Sequence, residues 1–175
     1  MVSQVLEMRS VSLQPWQIDK TWADIYFPEI ERVVREVAGK IISIKPADDK
    51  LDREQSTDFV ITVDAGEIAC RIRRGNVQYR DLTLRHSRPS GMRTETDKIK
   101  AGFARWYLYA WIENGGRFAE WIFVDLDKLR ETLLIDFAPT VKNQDGTTFK
   151  AISIPDLEAT GCLVAHCGEK EPDGA

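Results

Sequence analysis

Residues Asp58 to Arg73 constrain the fold of this chain more than any other stretch. Asp-Phe-Val-Ile-Thr-Val-Asp-Ala-Gly-Glu-Ile-Ala-Cys-Arg-Ile-Arg reads as two alternating strands joined at Ala65-Gly66, a hairpin with a short glycine-containing turn. Placing Asp64 opposite Glu67 pairs Val63 with Ile68, Ile61 with Cys70, Phe59 with Ile72 and Asp58 with Arg73. The two-residue period of a strand then sends the large apolar residues of the first strand, Val60 excepted, to one face. Asp58, Thr62, Arg71 and Arg73 fall on the other. A carboxylate and two guanidiniums on one sheet face are either a salt-bridged surface or the floor of an anion site.

A chain of 175 residues suits one domain with a core of useful size, and its 43% hydrophobic and 30% charged residues exclude a disordered composition. No apolar run approaches the length of about 18 residues that a membrane span needs, so no membrane contact is expected. The first ten residues lack the charged-then-apolar pattern of a secretory signal, and a cytoplasmic protein is expected. Three cysteines fit that compartment. Cys70 falls on the apolar face of its strand. Cys162 and Cys167 cluster with His166, but their spacing matches no paired-cysteine zinc knuckle, and idle or buried thiols are the better reading.

The net charge of -4 argues against general attraction to nucleic acid, but its distribution is uneven. Between Arg71 and Arg105 stand Arg71, Arg73, Arg74, Arg80, Arg85, Arg88, Arg93, Lys98, Lys100 and Arg105, against only Asp81, Glu95 and Asp97. This is either a basic patch suited to a phosphate-bearing partner or a segment paired internally with the acidic remainder.

Tyr26, Phe27, Ile30, Val33, Val34, Val37 and Ile41 recur at helical spacing, predicting a helix from about Trp22 to Lys40, with Pro28 near the start of its regular part. Glu29 and Glu31 flank that stripe, either as solvated border acids or as acids looking into a cleft. After a polar loop and the hairpin, a third strand is expected over Gln78–His86. Thr94 with Asp97 predicts the start of a second helix, carrying Ile99, Phe103, Trp106, Ala110 and Trp111 inward. Its aromatics Trp106, Tyr107, Tyr109 and Trp111 read as core rather than as a base-stacking platform. Trp121-Ile-Phe-Val reads as a buried strand, and Asp125 or Asp127 as the cap of a short helix through Leu134. A last hairpin turns at Asn143-Gln-Asp-Gly, and Pro155 to Gly161 forms a closing helical turn.

The expected architecture is α+β, a single domain over 1–175 with a mixed central sheet flanked by helices. Its core spans about 22–135, and a C-terminal β extension about 136–175.

This order, with an acid in the first helix and an aspartate opening a central strand, resembles the core of the PD-(D/E)XK nuclease-like superfamily, which has a restriction-endonuclease-like fold. Ser-Thr-Asp-Phe-Val-Ile, Ile-Ala-Cys-Arg-Ile-Arg-Arg, Asp-Leu-Thr-Leu-Arg, Ser-Gly-Met-Arg-Thr-Glu-Thr-Asp-Lys-Ile and Phe-Pro-Glu-Ile also resemble small uncharacterised proteins of phages and mobile elements. The resemblance covers about Phe27 to Leu126. It implies a Mg²⁺- or Mn²⁺-dependent nuclease acting on DNA or RNA in the cytoplasm of a bacterial or phage-infected cell. Asp58 would be the metal-binding aspartate, Glu29 the helix acid and Asp81 a substitute ligand. Arg71 and Arg73 would serve catalysis on the phosphate, and Arg74, Arg85, Arg88, Arg93, Lys98 and Arg105 would bind nucleic acid. The chain departs from the family pattern where Glu-x-Lys is expected and Arg71-Ile72-Arg73 stands. Arginine stays protonated, so it stabilises phosphate charge but serves poorly as a base. Two alternatives follow: an inactive relative that binds nucleic acid through the basic face, or a phage-borne module that inhibits a host protein.

Overall fold

A computed structural model describes residues 15–38, 41–46, 59–63, 66–74, 80–112 and 116–168. The fold is mixed α+β with two sheets. The chain runs α1 (Pro15–Asp24), α2 (Phe27–Ala38), β1 (Ile41–Pro46), β2 (Phe59–Val63), β3 (Gly66–Arg73) and β4 (Leu82–Ser87). It continues with α3 (Glu95–Lys100), β5 (Trp106–Ile112), β6 (Phe118–Asp125), α4 (Leu126–Glu131) and α5 (Leu134–Phe137). Last come β7 (Thr140–Lys142), β8 (Thr148–Ile152), α6 (Ile154–Ala159) and β9 (Leu163–Cys167).

Six strands form the central sheet in the order β1-β2-β3-β5-β6-β9, and three form a smaller sheet in the order β4-β8-β7. Among the described residues only β3 and β5 run parallel in the central sheet, and its other neighbours are antiparallel. The alternation along β3 builds a core on each side. Ile68, Cys70 and Ile72 join Ile61, Leu108, Ala110, Trp121 and Phe123 beneath Ala23, Tyr26, Ile30, Val33 and Val34 of the first two helices and their connection. On the opposite side Ala69, Tyr107, Tyr109, Trp111, Ile122 and Val124 pack against Leu82, Leu84 and Ile152 of the small sheet and Ile99, Leu129 and Leu157 of the short helices. Arg71 and Arg73 share the face of Ala69, so they point toward the small sheet and α3.

The hairpin is present, with a register two residues from the expected one. Val63 pairs with Gly66, Ile61 with Ile68 and Phe59 with Cys70. A shift of two preserves the facing of every side chain, where a shift of one would invert it. The pairing expected of Asp58 falls outside the described residues. The first helix is interrupted at Ile25-Tyr26 into α1 and α2, and Ile41 belongs to an unforeseen strand.

The second helix is far shorter than expected. Thr94 caps it with both halves of a capping box in place, as predicted, but α3 ends at Lys100. Gly102 has φ +89 and Ala104 φ 50, left-handed conformations that turn the chain out of the helix. Trp106–Ile112 is a strand, buried on both faces between β3 and β6. A strand covered on both sides has no polar alternation to betray it, and its apolar run mimics a helical stripe. Its aromatics are core: Tyr107, Tyr109 and Trp111 are buried.

The segment around β4 does not enter the central sheet. Its described strand begins at Leu82 and pairs antiparallel with β8. Nor does the C-terminal segment stand apart as an extension, because β9 closes the central sheet against β6. The hairpin at Asn143–Gly146, the strand at Trp121, the Asp125 cap and the helical turn after Pro155 are present as read. Among the described residues no helix is long and apolar enough to cross a membrane.

Candidate functional site

Where β3, β4 and the first turn of α3 meet, one buried carboxylate is surrounded by cations. Glu95 sits just after the Thr94 cap and is 5% exposed. Its Oε1 accepts a hydrogen bond from the Tyr107 hydroxyl on β5 and another, at 3.3 Å, from Nη1 of Arg71 on β3. Its Oε2 accepts from the backbone N–H of Arg85 on β4 at 3.0 Å. A buried carboxylate is tolerated only when paired and hydrogen-bonded, and Glu95 has an ion pair and two further donors. It ties the two sheets together at this point.

Among the described residues, several cations lie near this carboxylate. Arg85 is half-buried, and burial first, then Arg71 and Arg88, push its guanidinium below its ordinary value. Lys98 lies one turn beyond Glu95 and is buried. Burial, then the neighbouring Arg88, push its ammonium down to about 8; Glu95 opposes the shift, and Arg93 and Arg85 reinforce it. Arg73 also acts on Arg85 and on the Tyr109 hydroxyl. Thr83 and Tyr109 share a hydrogen bond of 2.5 Å beneath this group. Burial holds both tyrosines above their usual range, Tyr107 well above it, so both are neutral hydroxyls at any ordinary pH.

Of the expected nucleic-acid contacts, Arg85, Arg88, Arg93 and Lys98 gather here with Arg71 and Arg73. Arg74 and Arg105 do not. Arg74 stacks over Trp22 at 5.2 Å, on the side of the first helices. Arg105 covers Trp106 at 4.8 Å and lies 3.7 Å from Asp127. Because Arg105 sits beside Gly66, it is at the opposite end of β3 from Arg73.

Of the expected metal ligands, Glu29 and Asp81 are described and lie at different elements. Glu29 of α2 is bound by Arg32 at 2.9 Å, and that hydrogen bond, partly offset by burial, holds its carboxyl below the usual value. Asp81 immediately precedes β4, and burial with help from Asp156 raises its carboxyl. The central sheet lies between the α2 layer, which carries Glu29, and the β4 layer, which Asp81 precedes. Asp58 lies outside the described residues. Among the described residues no group of three metal-ligating side chains gathers.

Among the described residues Glu95 is an acid that meets Arg71, and the sequence marks it only as one charge within the basic run. The signal was its place after the Thr94 cap, where a carboxylate is fixed by the first helical turn. Comparison with known proteins finds no matching family model, and no curated protein or solved structure that matches significantly.

Proposed function

We propose that this chain binds nucleic acid through the face formed by β3, β4 and α3, contacting the phosphate backbone. One observation carries the reading: Arg71, Arg73, Arg85, Arg88, Arg93 and Lys98 gather around Glu95, whose carboxylate is already engaged by three donors. Like charges crowded together cost folding energy, and a polyanion relieves that cost. The neighbouring aromatics are sealed in the core, so the reading assigns recognition to charge and shape, with little sequence preference.

A restriction-endonuclease-like ancestry belongs to this reading. The parallel step from β3 to β5, crossing through α3, supports it. The replacement of Glu-x-Lys by Arg71-Ile72-Arg73, with Glu29 and Asp81 in separate layers, favours binding without hydrolysis. The test is titration of a labelled DNA duplex, and of single-stranded DNA and RNA, at rising salt with and without Mg²⁺. The expected result is binding that weakens steeply with salt and leaves the nucleic acid uncut. Failure to bind any of these at low salt would overturn the proposal.

A further inference from the structure

We propose that Phe149 is a stacking platform for an unpaired base, and that the nucleic acid this face prefers is single-stranded. This rests on the nucleic-acid reading above and names its substrate class. The register of the small sheet brings the ring beside the cations. Arg85 of β4 lies directly opposite Phe149 of β8, and Phe149 directly opposite Val141 of β7. Residues opposite one another in antiparallel strands project from the same face, with their Cβ atoms about 5 Å apart. One row across the three strands therefore reads guanidinium, phenyl ring, isopropyl group.

The two faces of this sheet have different surroundings. Leu82, Leu84 and Ile152 are buried in the core, and with them Lys150, whose Nζ donates to the carbonyls of Asp136 and Ala138 at α5. The alternate residues look toward the central sheet near the end of β3. There the Thr83 hydroxyl meets that of Tyr109, and Arg85 lies near Glu95, Arg71 and Arg73. Phe149 and Val141 continue that face outward. Val141 is 42% exposed, Phe149 is partly exposed, and all three residues of β7 are exposed. Among the described residues Phe149 is part of neither core. Asp145, in the hairpin that joins β7 to β8, accepts from the amide and the hydroxyl of Thr147 and gives the row an acidic border.

A base in a duplex is covered on both faces by its neighbours. In a single strand it can turn out and stack on a ring while its own phosphate reaches a cation alongside. Tyr107, Tyr109 and Trp111 are sealed in the core, so Phe149 is the ring this face offers. Phenylalanine carries no hydrogen-bonding group, and stacking on it tolerates any base, in keeping with recognition by charge and shape.

The experiment measures binding of a mixed-sequence DNA strand, and of the duplex made from it, to the full chain at fixed low salt, for the native protein, Phe149→Leu and Phe149→Tyr. The native protein is expected to bind the strand more tightly than the duplex. Phe149→Leu should lose roughly tenfold for the strand and nothing for the duplex, while Phe149→Tyr keeps the native affinities. Should Phe149→Leu misfold, the native protein is titrated with an abasic strand of equal length, which is expected to bind roughly tenfold more weakly than the ordinary strand. A duplex bound more tightly than the strand overturns this inference and leaves the nucleic-acid reading intact. So does equal strand affinity for the native protein and a folded Phe149→Leu, or for ordinary and abasic strands. Absence of binding to strand and duplex alike overturns both.

Discussion

Tyr107, in the middle layer, donates its hydroxyl hydrogen to Oε1 of Glu95, on the first turn of α3. This contact joins β5 to the helix that carries Lys98, and the same oxygen receives Arg71. Structure and candidate site therefore depend on one carboxylate.

Tyr107→Phe removes the donor and leaves the ring in place. The expected cost is about 1–3 kcal/mol, because a buried carboxylate oxygen loses a partner it cannot replace with water. Urea denaturation checks it. An unchanged midpoint would mean that the hydroxyl contributes nothing to holding Glu95.

Glu95→Ala removes at once the acceptor used by the Arg71 guanidinium, the Arg85 amide and the Tyr107 hydroxyl. Removing one partner of a buried pair costs about 3–5 kcal/mol, and Glu95→Gln, which keeps an acceptor, should cost less. The order of the two variants in thermal unfolding tests whether charge or hydrogen bonding dominates. At low salt a folded Glu95→Gln protein is also expected to bind DNA more tightly, since it removes the negative charge inside the cluster.

Asp97 receives hydrogen bonds from the Thr94 amide at 2.8 Å and the Thr94 hydroxyl at 2.8 Å, which hold its carboxyl below the ordinary value. The folded state thus binds a proton less readily than the unfolded chain. Its contribution is fully present above the unfolded value of about 4 and is lost as pH falls through the lower folded value. Thr94→Ala should cost about 1 kcal/mol at neutral pH and flatten this acid limb of the melting-temperature profile. A parallel profile in the variant would contradict the assignment.

The elements legible in the sequence were those that carry a local signature of alternation, helical spacing or capping. The hairpin at Ile61–Ile72, the stripe at Ile30–Val34 and the Thr94 capping box each carry a local pattern that tertiary contacts reinforce. The strand Trp106–Ile112 was misread because burial on both faces erases alternation, leaving only composition, and its aromatic and branched residues favour a strand. The sheet partner of β4 was not legible, because pairing Arg85 with Phe149 joins residues far apart in the chain. The basic half of the site was visible as a run of charge between Arg71 and Lys98. Its organising acid was not, since the approach of Glu95 to Arg71 spans 24 positions and depends on where α3 stops.

That stop has its own test. Gly102 has φ +89, and a Cβ there would meet nothing within 4 Å, so substitution is resisted by backbone strain alone. Gly102→Ala should cost about 1–2 kcal/mol, and Gly102→Asn less, because asparagine tolerates the left-handed conformation better. Equal melting temperatures for the three proteins would show that the helix end is set elsewhere, for instance by Arg130, whose Nη1 and Nη2 each hold the Ala104 carbonyl at 3.2 Å.

The most direct test is the salt dependence of duplex DNA binding for the native protein, for Arg88→Ala with Arg93→Ala, and for Arg74→Ala with Arg105→Ala. If the face around Glu95 is the contact surface, the first pair lowers the slope of log affinity against log salt by up to about 2, and the second pair leaves it near the native value. An equal loss from both pairs, or an unchanged slope for the first, would contradict the assignment of binding to this face.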